Sequence, residues 1–83
     1  MQVFVGIHDV LKLKVKEDLL ENVNKERLSV NLLEKADVLA LLNFIGLDQS
    51  LVGLIIVNKK QADLNCKLED GDIIELFSPM SGG

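Results

Sequence analysis

Hydrophobic and polar residues alternate in several segments of the chain. Met1–Ile7 alternates in part and is predicted to be a buried first strand, whereas the regular alternation of Arg27–Leu32 predicts a half-buried strand. Ile73–Phe77 is predicted to be the last strand, because Pro79, just beyond it, has no N–H to give to a sheet. Leu51–Val57 is apolar almost throughout, which is typical of a central strand covered on both faces.

The middle of the chain carries a helical pattern instead. Val38–Ile45 is predicted to be a helix that begins after Asp37, whose side chain can accept a hydrogen bond from a free N–H of the first turn. Gly46 can take the left-handed conformation that ends a helix. Apolar residues spaced for one helix face are expected in the core: Val38, Leu41, Leu42 and Ile45.

Two further segments have weaker patterns. Val10–Val15 alternates and either extends a strand or forms a short helix with Asp18–Asn22. Ala62–Leu68 alternates too and is predicted to be a short strand, with Cys66 on its apolar side as a small core residue rather than a nucleophile. Turns are predicted at three polar positions: Asn22–Lys25, Asn58–Gln61 and Asp70–Asp72.

The order of these elements predicts an α+β fold. One amphipathic helix and four or five strands share a core when the helix packs across one face of a mixed sheet, which is the β-grasp arrangement. The chain has 83 residues, enough for one domain. We expect that domain at 1–79 and a flexible tail at 80–83. A domain this small buries only about 60% of its unfolded surface, which favours function at a surface or a terminus over a deep catalytic cavity.

Composition and charge exclude several classes of function. The formal net charge is −4, and the lysines lie among acids, so the basic face of a nucleic-acid-binding protein is not expected. A single cysteine and a single histidine exclude a disulfide framework and a clustered Cys/His metal site. No apolar run approaches the roughly 20 residues of a membrane span, and Met1 leads directly into a predicted strand, so the cytoplasm is the expected compartment.

The end of the chain carries a more specific signal. From Leu68 onward the sequence has an Asp-Gly-Asp turn, a short apolar strand, a proline and a final Gly-Gly. This combination resembles the C-terminal signature of the MoaD/ThiS sulfur-carrier family. The ending Phe-Ser-Pro-Met-Ser-Gly-Gly is similar to that of the small subunit of molybdopterin synthase. Residues 10–25 contribute little to the resemblance.

The resemblance implies that Gly83 is the reactive residue. In this family an E1-like adenylyltransferase of the MoeB/ThiF type uses ATP and magnesium to adenylate the C-terminal carboxylate. A sulfurtransferase or cysteine desulfurase then supplies sulfur, leaving a thiocarboxylate. The acceptor enzyme is a MoaE-type large subunit of molybdopterin synthase or a thiazole synthase. The chain itself is expected to bind no cofactor or metal and to have no self-contained catalytic site.

The tail and the strand before it are expected to meet these partners. Glycines without side chains can enter a narrow channel, and four extended residues reach at most about 14 Å. Pro79 would aim the tail away from the sheet, since its ring fixes one dihedral. Phe77 matches the aromatic residue of the family motif and is either a partner anchor or core. The residues expected to enter the partner's active site are Met80, Ser81 and Gly82.

Three alternatives stay open. The chain could be a thiamine-type carrier. Pro79 weakens this interpretation, because the tails of thiamine-pathway carriers usually lack that proline. It could be a protein modifier joined through Gly83 to lysines of other proteins, since modifiers share the same chemistry up to the adenylate. It could also be an interaction domain with an idle tail, in which case deleting Gly82 and Gly83 leaves function intact.

Overall fold

The structure, a computed structural model, describes residues 1–8, 11 and 27–79. The predictions for 10–25, apart from Leu11, and for the tail at 80–83 lie outside these residues. A short 3₁₀ turn, Gln49–Leu51, follows the helix. The regular elements are β1 (Gln2–Ile7), β2 (Leu28–Asn31), α1 (Val38–Ile45), β3 (Leu54–Val57), β4 (Lys60–Gln61) and β5 (Ile73–Phe77).

The strands form one mixed sheet of five strands in the order β2-β1-β5-β3-β4. β1 and β5 run parallel at its centre, with Phe4 opposite Ile73, and every other pair is antiparallel. α1 packs across one face of this sheet, and helix and strand residues share a single core. The predicted β-grasp fold is therefore confirmed.

The helix forms as its sequence predicts. The Asp37 carboxylate accepts a hydrogen bond from the Ala40 N–H at 2.9 Å, and Gly46 adopts a φ of 85° beyond the last turn. All four residues of the predicted stripe are 0% exposed.

No helix among the described residues is long and apolar enough to cross a membrane.

The prediction for Leu51–Val57 is wrong in two respects. The strand begins only at Leu54, because the Asp48 carboxylate accepts a hydrogen bond from the Ser50 N–H and stabilises the 3₁₀ turn instead. The strand is also not covered on both faces. Ile55 is buried against the core whereas Leu54 is 37% exposed, because α1 covers only one side of the sheet.

The segment Ala62–Leu68 is not a strand either. Its backbone bonds to the start of the helix: the Val38 N–H donates to the Cys66 carbonyl at 3.1 Å, and the Leu68 N–H donates to the Ala36 carbonyl at 2.9 Å. The short strand of the sheet is instead β4, Lys60–Gln61, and the sequence analysis had predicted a turn for these two residues. Cys66 is half-buried against the core, as expected.

Candidate functional site

The candidate site lies at the end of β5, where the chain leaves the sheet. Side chains of a strand alternate between the two faces of a sheet. Ile74 and Leu76 are 0% exposed beneath the helix. Ile73, Glu75 and Phe77 therefore lie on the opposite side, which we call the outer face of the sheet. Sequence reasoning identified Phe77 as a candidate anchor, and the structure places it outside the core, half-buried.

Apolar side chains from three strands share the outer face. Residues paired across a sheet point to the same side. Phe4 is paired with Ile73, and Leu54 with Phe77. Ile73 and Leu54 are 36% and 37% exposed, and they are two of the four large apolar residues exposed in the described part of the chain. Exposed apolar side chains on one face of a sheet are typical of interaction sites.

A polar pair lies beside Phe77 on this face. The His8 ring stacks on the Phe77 ring with their centroids 4.4 Å apart and the planes inclined by 5°. His8 Nε2 lies 3.1 Å from Glu75 Oε1, and each side chain is about a third exposed, at 37% and 34%. The sequence analysis assigned no partner role to His8 or Glu75. Their proximity follows from the parallel pairing of β1 with β5, for which the sequence carries no local signal.

The backbone holds the end of β5 from both sides. The His8 N–H donates to the Leu76 carbonyl at 3.0 Å, and the Gly53 N–H donates to the Phe77 carbonyl at 2.8 Å. Ser78 is buried, at 5% exposure, and Pro79 is exposed. We call Phe77, Ser78 and Pro79 the tail root, because the tail begins directly after them.

The Asp-Gly-Asp turn fixes the other end of β5. Gly71 has a φ of 88°, which suits glycine. The Asp72 carboxylate accepts hydrogen bonds from the Glu69 N–H and from Asn58 Nδ2, both at 2.8 Å. The Asp70 carboxylate accepts one from the Gln2 N–H at 2.8 Å. Both aspartates therefore shape the turn, as the sequence analysis predicted.

The described residues contain no cluster of three or more histidine, cysteine or acidic side chains that could hold a metal ion. Cys66 packs against the core, and its Sγ lies 3.7 Å from the Lys67 carbonyl oxygen, not on the outer face near His8. What this part of the chain offers is an apolar surface next to the tail root. The predicted tail residues, Met80, Ser81, Gly82 and Gly83, lie outside the described residues.

A mixed five-stranded sheet with one helix across it defines a ubiquitin-like β-grasp domain. The sequence model of the ThiS family matches residues 17–83. The chain therefore belongs to the ThiS family, the ThiS/MoaD-type ubiquitin-like sulfur carriers. The resemblance read from the C-terminal residues is confirmed.

Solved structures give the same fold. The chain is similar to the Pyrococcus furiosus protein described as molybdopterin converting factor, subunit 1, with 20% identity, 96% and 99% of the two chains covered, and a TM-score of 0.67. SAMP1 from Haloferax volcanii has 22% identity, full coverage of both chains and a TM-score of 0.64. The third structure is a complex of subunits 1 and 2 of the molybdopterin-converting factor from Helicobacter pylori. One of its chains has 25% identity, full coverage of both chains and a TM-score of 0.59. No curated protein sequence matches significantly.

Proposed function

We propose that this chain is the sulfur-donor small subunit of a molybdopterin synthase, acting through a thiocarboxylate on Gly83. The observation that carries the proposal is the family match, which runs through the tail to Gly83. The tail root adds support, because Phe77, two residues before the last described residue, is paired with Leu54, which is 37% exposed. The ending Phe-Ser-Pro-Met-Ser-Gly-Gly favours the molybdopterin branch.

The chemistry requires an activating partner. A carboxylate resists nucleophilic attack because it is negatively charged and stabilised by resonance. Attack of the Gly83 carboxylate on the α-phosphorus of ATP, with magnesium neutralising the phosphates, gives an acyl-adenylate and releases pyrophosphate. A persulfide then displaces AMP, and a thiol cleaves the resulting acyl disulfide to leave a thiocarboxylate. The described residues need only present the tail, because the partners supply these reagents.

The outer face is the proposed docking surface for these partners. Interface centres are enriched in aromatic and large apolar residues. This face presents Leu54 beside Phe77 of the tail root, and Phe4 and Ile73 towards the opposite end of β5. Phe77 and Pro79 are the proposed interface residues, and Met80, Ser81 and Gly82 are proposed to follow Gly83 into the partner's active site. An E1-like enzyme and a MoaE-type subunit would use the surface in turn.

The test of carrier chemistry is intact-mass analysis. The chain is incubated with ATP, magnesium, an E1-like enzyme from the same organism and a persulfide donor. We expect one oxygen to be replaced by sulfur, and fragmentation to locate the sulfur on Gly83. Two variants are matched controls, one lacking Gly83 and one with an alanine added after it, and neither should gain sulfur. An unchanged mass, with an enzyme that activates its own known carrier, contradicts the proposal.

A second step separates the pathways. The thiocarboxylated chain is mixed with a MoaE-type subunit and cyclic pyranopterin phosphate, and in parallel with a thiazole synthase and its substrates. Sulfur transfer only in the first mixture is the expected result. Transfer only in the second assigns a thiamine-type carrier, and recovery of Gly83 on lysines of other proteins assigns a protein modifier.

A further inference from the structure

Gly53 lies immediately before β3 and packs directly against the tail root. A Cβ atom placed on Gly53 would lie 2.4 Å from Pro79 Cα, 2.7 Å from Pro79 N and 2.8 Å from Pro79 Cβ. Two of these are backbone atoms, so no side-chain rotation relieves the overlap. Close packing of this kind does not absorb an extra methyl group without backbone movement. The absence of a side chain at Gly53 is therefore required for Pro79 to lie where it does.

The same glycine is fixed to the sheet. The Gly53 N–H donates to the Phe77 carbonyl at 2.8 Å, so the surface on which Pro79 rests is aligned with the last strand. The pyrrolidine ring fixes the φ of Pro79 near −65°. With its position set by Gly53 and its φ set by its own ring, Pro79 leaves the chain few directions in which to continue.

We propose that Gly53 is a positioning residue that sets the direction in which the tail leaves the sheet. This inference rests on the proposed function for its consequence, since direction matters only if Gly83 must reach a partner's reaction centre. Displacing Pro79 would remove one proposed interface residue but leave the rest of the outer face, including Phe77, able to dock. The displacement would lower the fraction of docked complexes in which the Gly83 carboxylate is aligned with ATP. Such misplacement lowers kcat more than it raises KM.

The first test compares two glycine substitutions. Gly53→Ala introduces the overlap with Pro79. Gly71→Ala is the matched control, because a Cβ there meets nothing within 4 Å, while its φ of +88° strains the backbone at the opposite end of β5. In adenylation assays below the unfolding temperature of both variants, we expect Gly53→Ala to lower kcat by about tenfold to a hundredfold and to raise KM by a smaller factor. Gly71→Ala should retain the kcat of the unsubstituted chain. Equal losses in both variants overturn the proposal.

The second test does not depend on activity. A spin label is attached to a cysteine introduced by Ser50→Cys, in a Cys66→Ser background. The label broadens the NMR signal of each tail amide according to the distance between that amide and the label. The broadening profile of residues 81–83 should change with Gly53→Ala and stay the same with Gly71→Ala. An unchanged profile in Gly53→Ala overturns the proposal. A changed profile, in a chain that no E1-like enzyme adenylates, supports the role of Gly53 and contradicts only the carrier function.

A third variant covers the case in which Gly53→Ala does not fold. Pro79→Gly keeps Gly53 but frees the φ that the ring had fixed, so it should lower kcat and alter the broadening profile as well. If both variants fold, their effects should not add, because each alters the direction that is set at the same residue, Pro79. Independent, additive losses, or an unchanged profile in Pro79→Gly, contradict the proposal.

Discussion

The two faces of the sheet are built from the same strands but differ in what covers them. Along β5, Ile74 and Leu76 are 0% exposed beneath α1, whereas Ile73, on the outer face, is 36% exposed. Both faces carry large apolar side chains, so hydrophobicity alone does not distinguish them. The difference lies in α1, the helix of the described residues, which covers one face and makes it the core. The other remains available at the place where the chain leaves the sheet.

The largest expected effect is on the covered face. Leu41 in α1 is 0% exposed, so Leu41→Ala should lower the free energy of unfolding by about 2–5 kcal/mol through lost burial and the cavity left behind. Urea unfolding measures this change. The folded fraction should still bind the E1-like partner with unchanged affinity. A loss of affinity in fully folded protein would show that the two faces are not separable.

Phe77 tests the outer face. Phe77→Ala should weaken binding to the E1-like enzyme by about 2 kcal/mol, as expected for an aromatic residue at the centre of an interface. The free energy of unfolding should fall by less than this. Calorimetric titration and urea unfolding on the same preparation give both values, with Leu41→Ala as the opposite control. A large loss of stability with intact affinity would assign Phe77 to the core instead.

Asn58 tests how the register that assigns residues to each face is maintained. Its side chain donates to the Asp72 carboxylate at 2.8 Å and accepts from the Ile73 N–H at 3.0 Å, and its φ is 50°. Asn58→Ala removes both bonds and places alanine at a positive φ, so stability should fall by about 1–2 kcal/mol. Asn58→Gly, which tolerates that φ, should lose less. Equal losses would mean that backbone conformation contributes nothing measurable.

The smallest effect is expected at the pair on the outer face. Glu75→Gln keeps an acceptor for His8 but removes the charge, and both side chains are about a third exposed. Exposed ion pairs contribute little, so stability should change by less than about 1 kcal/mol. NMR ring-current shifts of His8 should persist, because its stack on Phe77 does not involve Glu75. Loss of those shifts would show that the contact with Glu75 holds the His8 ring in place.

Local signals in the sequence predicted the helix fully and the strands in part. Asp37 and Gly46 define the helix ends through bonds to near neighbours, so the sequence alone located both. Alternation in Ala62–Leu68 correctly placed Leu68 towards the core. Alternation indicates which side chains are buried, but it does not indicate which segment the backbone is hydrogen-bonded to. The long-range bonds of that segment go to residues 25 to 32 positions earlier, around the helix start.

Long-range pairing explains what the sequence could not predict at the candidate site. The family resemblance of the C-terminal segment, and the proposed chemistry of the tail, rest on residues adjacent in the chain. The grouping of His8, Glu75 and Phe77 depends on β1 lying parallel to β5, and the contact of Gly53 with Pro79 depends on β3 lying on the other side. Neither pairing leaves a local pattern. The open outer face was missed for the same reason, since the apolar run at Leu51–Val57 resembles a strand covered on both sides.

The parallel pairing of β1 with β5 has a consequence for biosynthesis. The two central strands come from nearly opposite ends of the described chain. During translation β1 is therefore made long before β5, the strand with which it pairs. Contacts between distant segments form late because a long loop must close first. On the ribosome the sheet cannot close until Ile73–Phe77 has emerged from the exit tunnel. A truncated nascent product that ends before Ile73 would therefore lack the central strand pair and a finished fold.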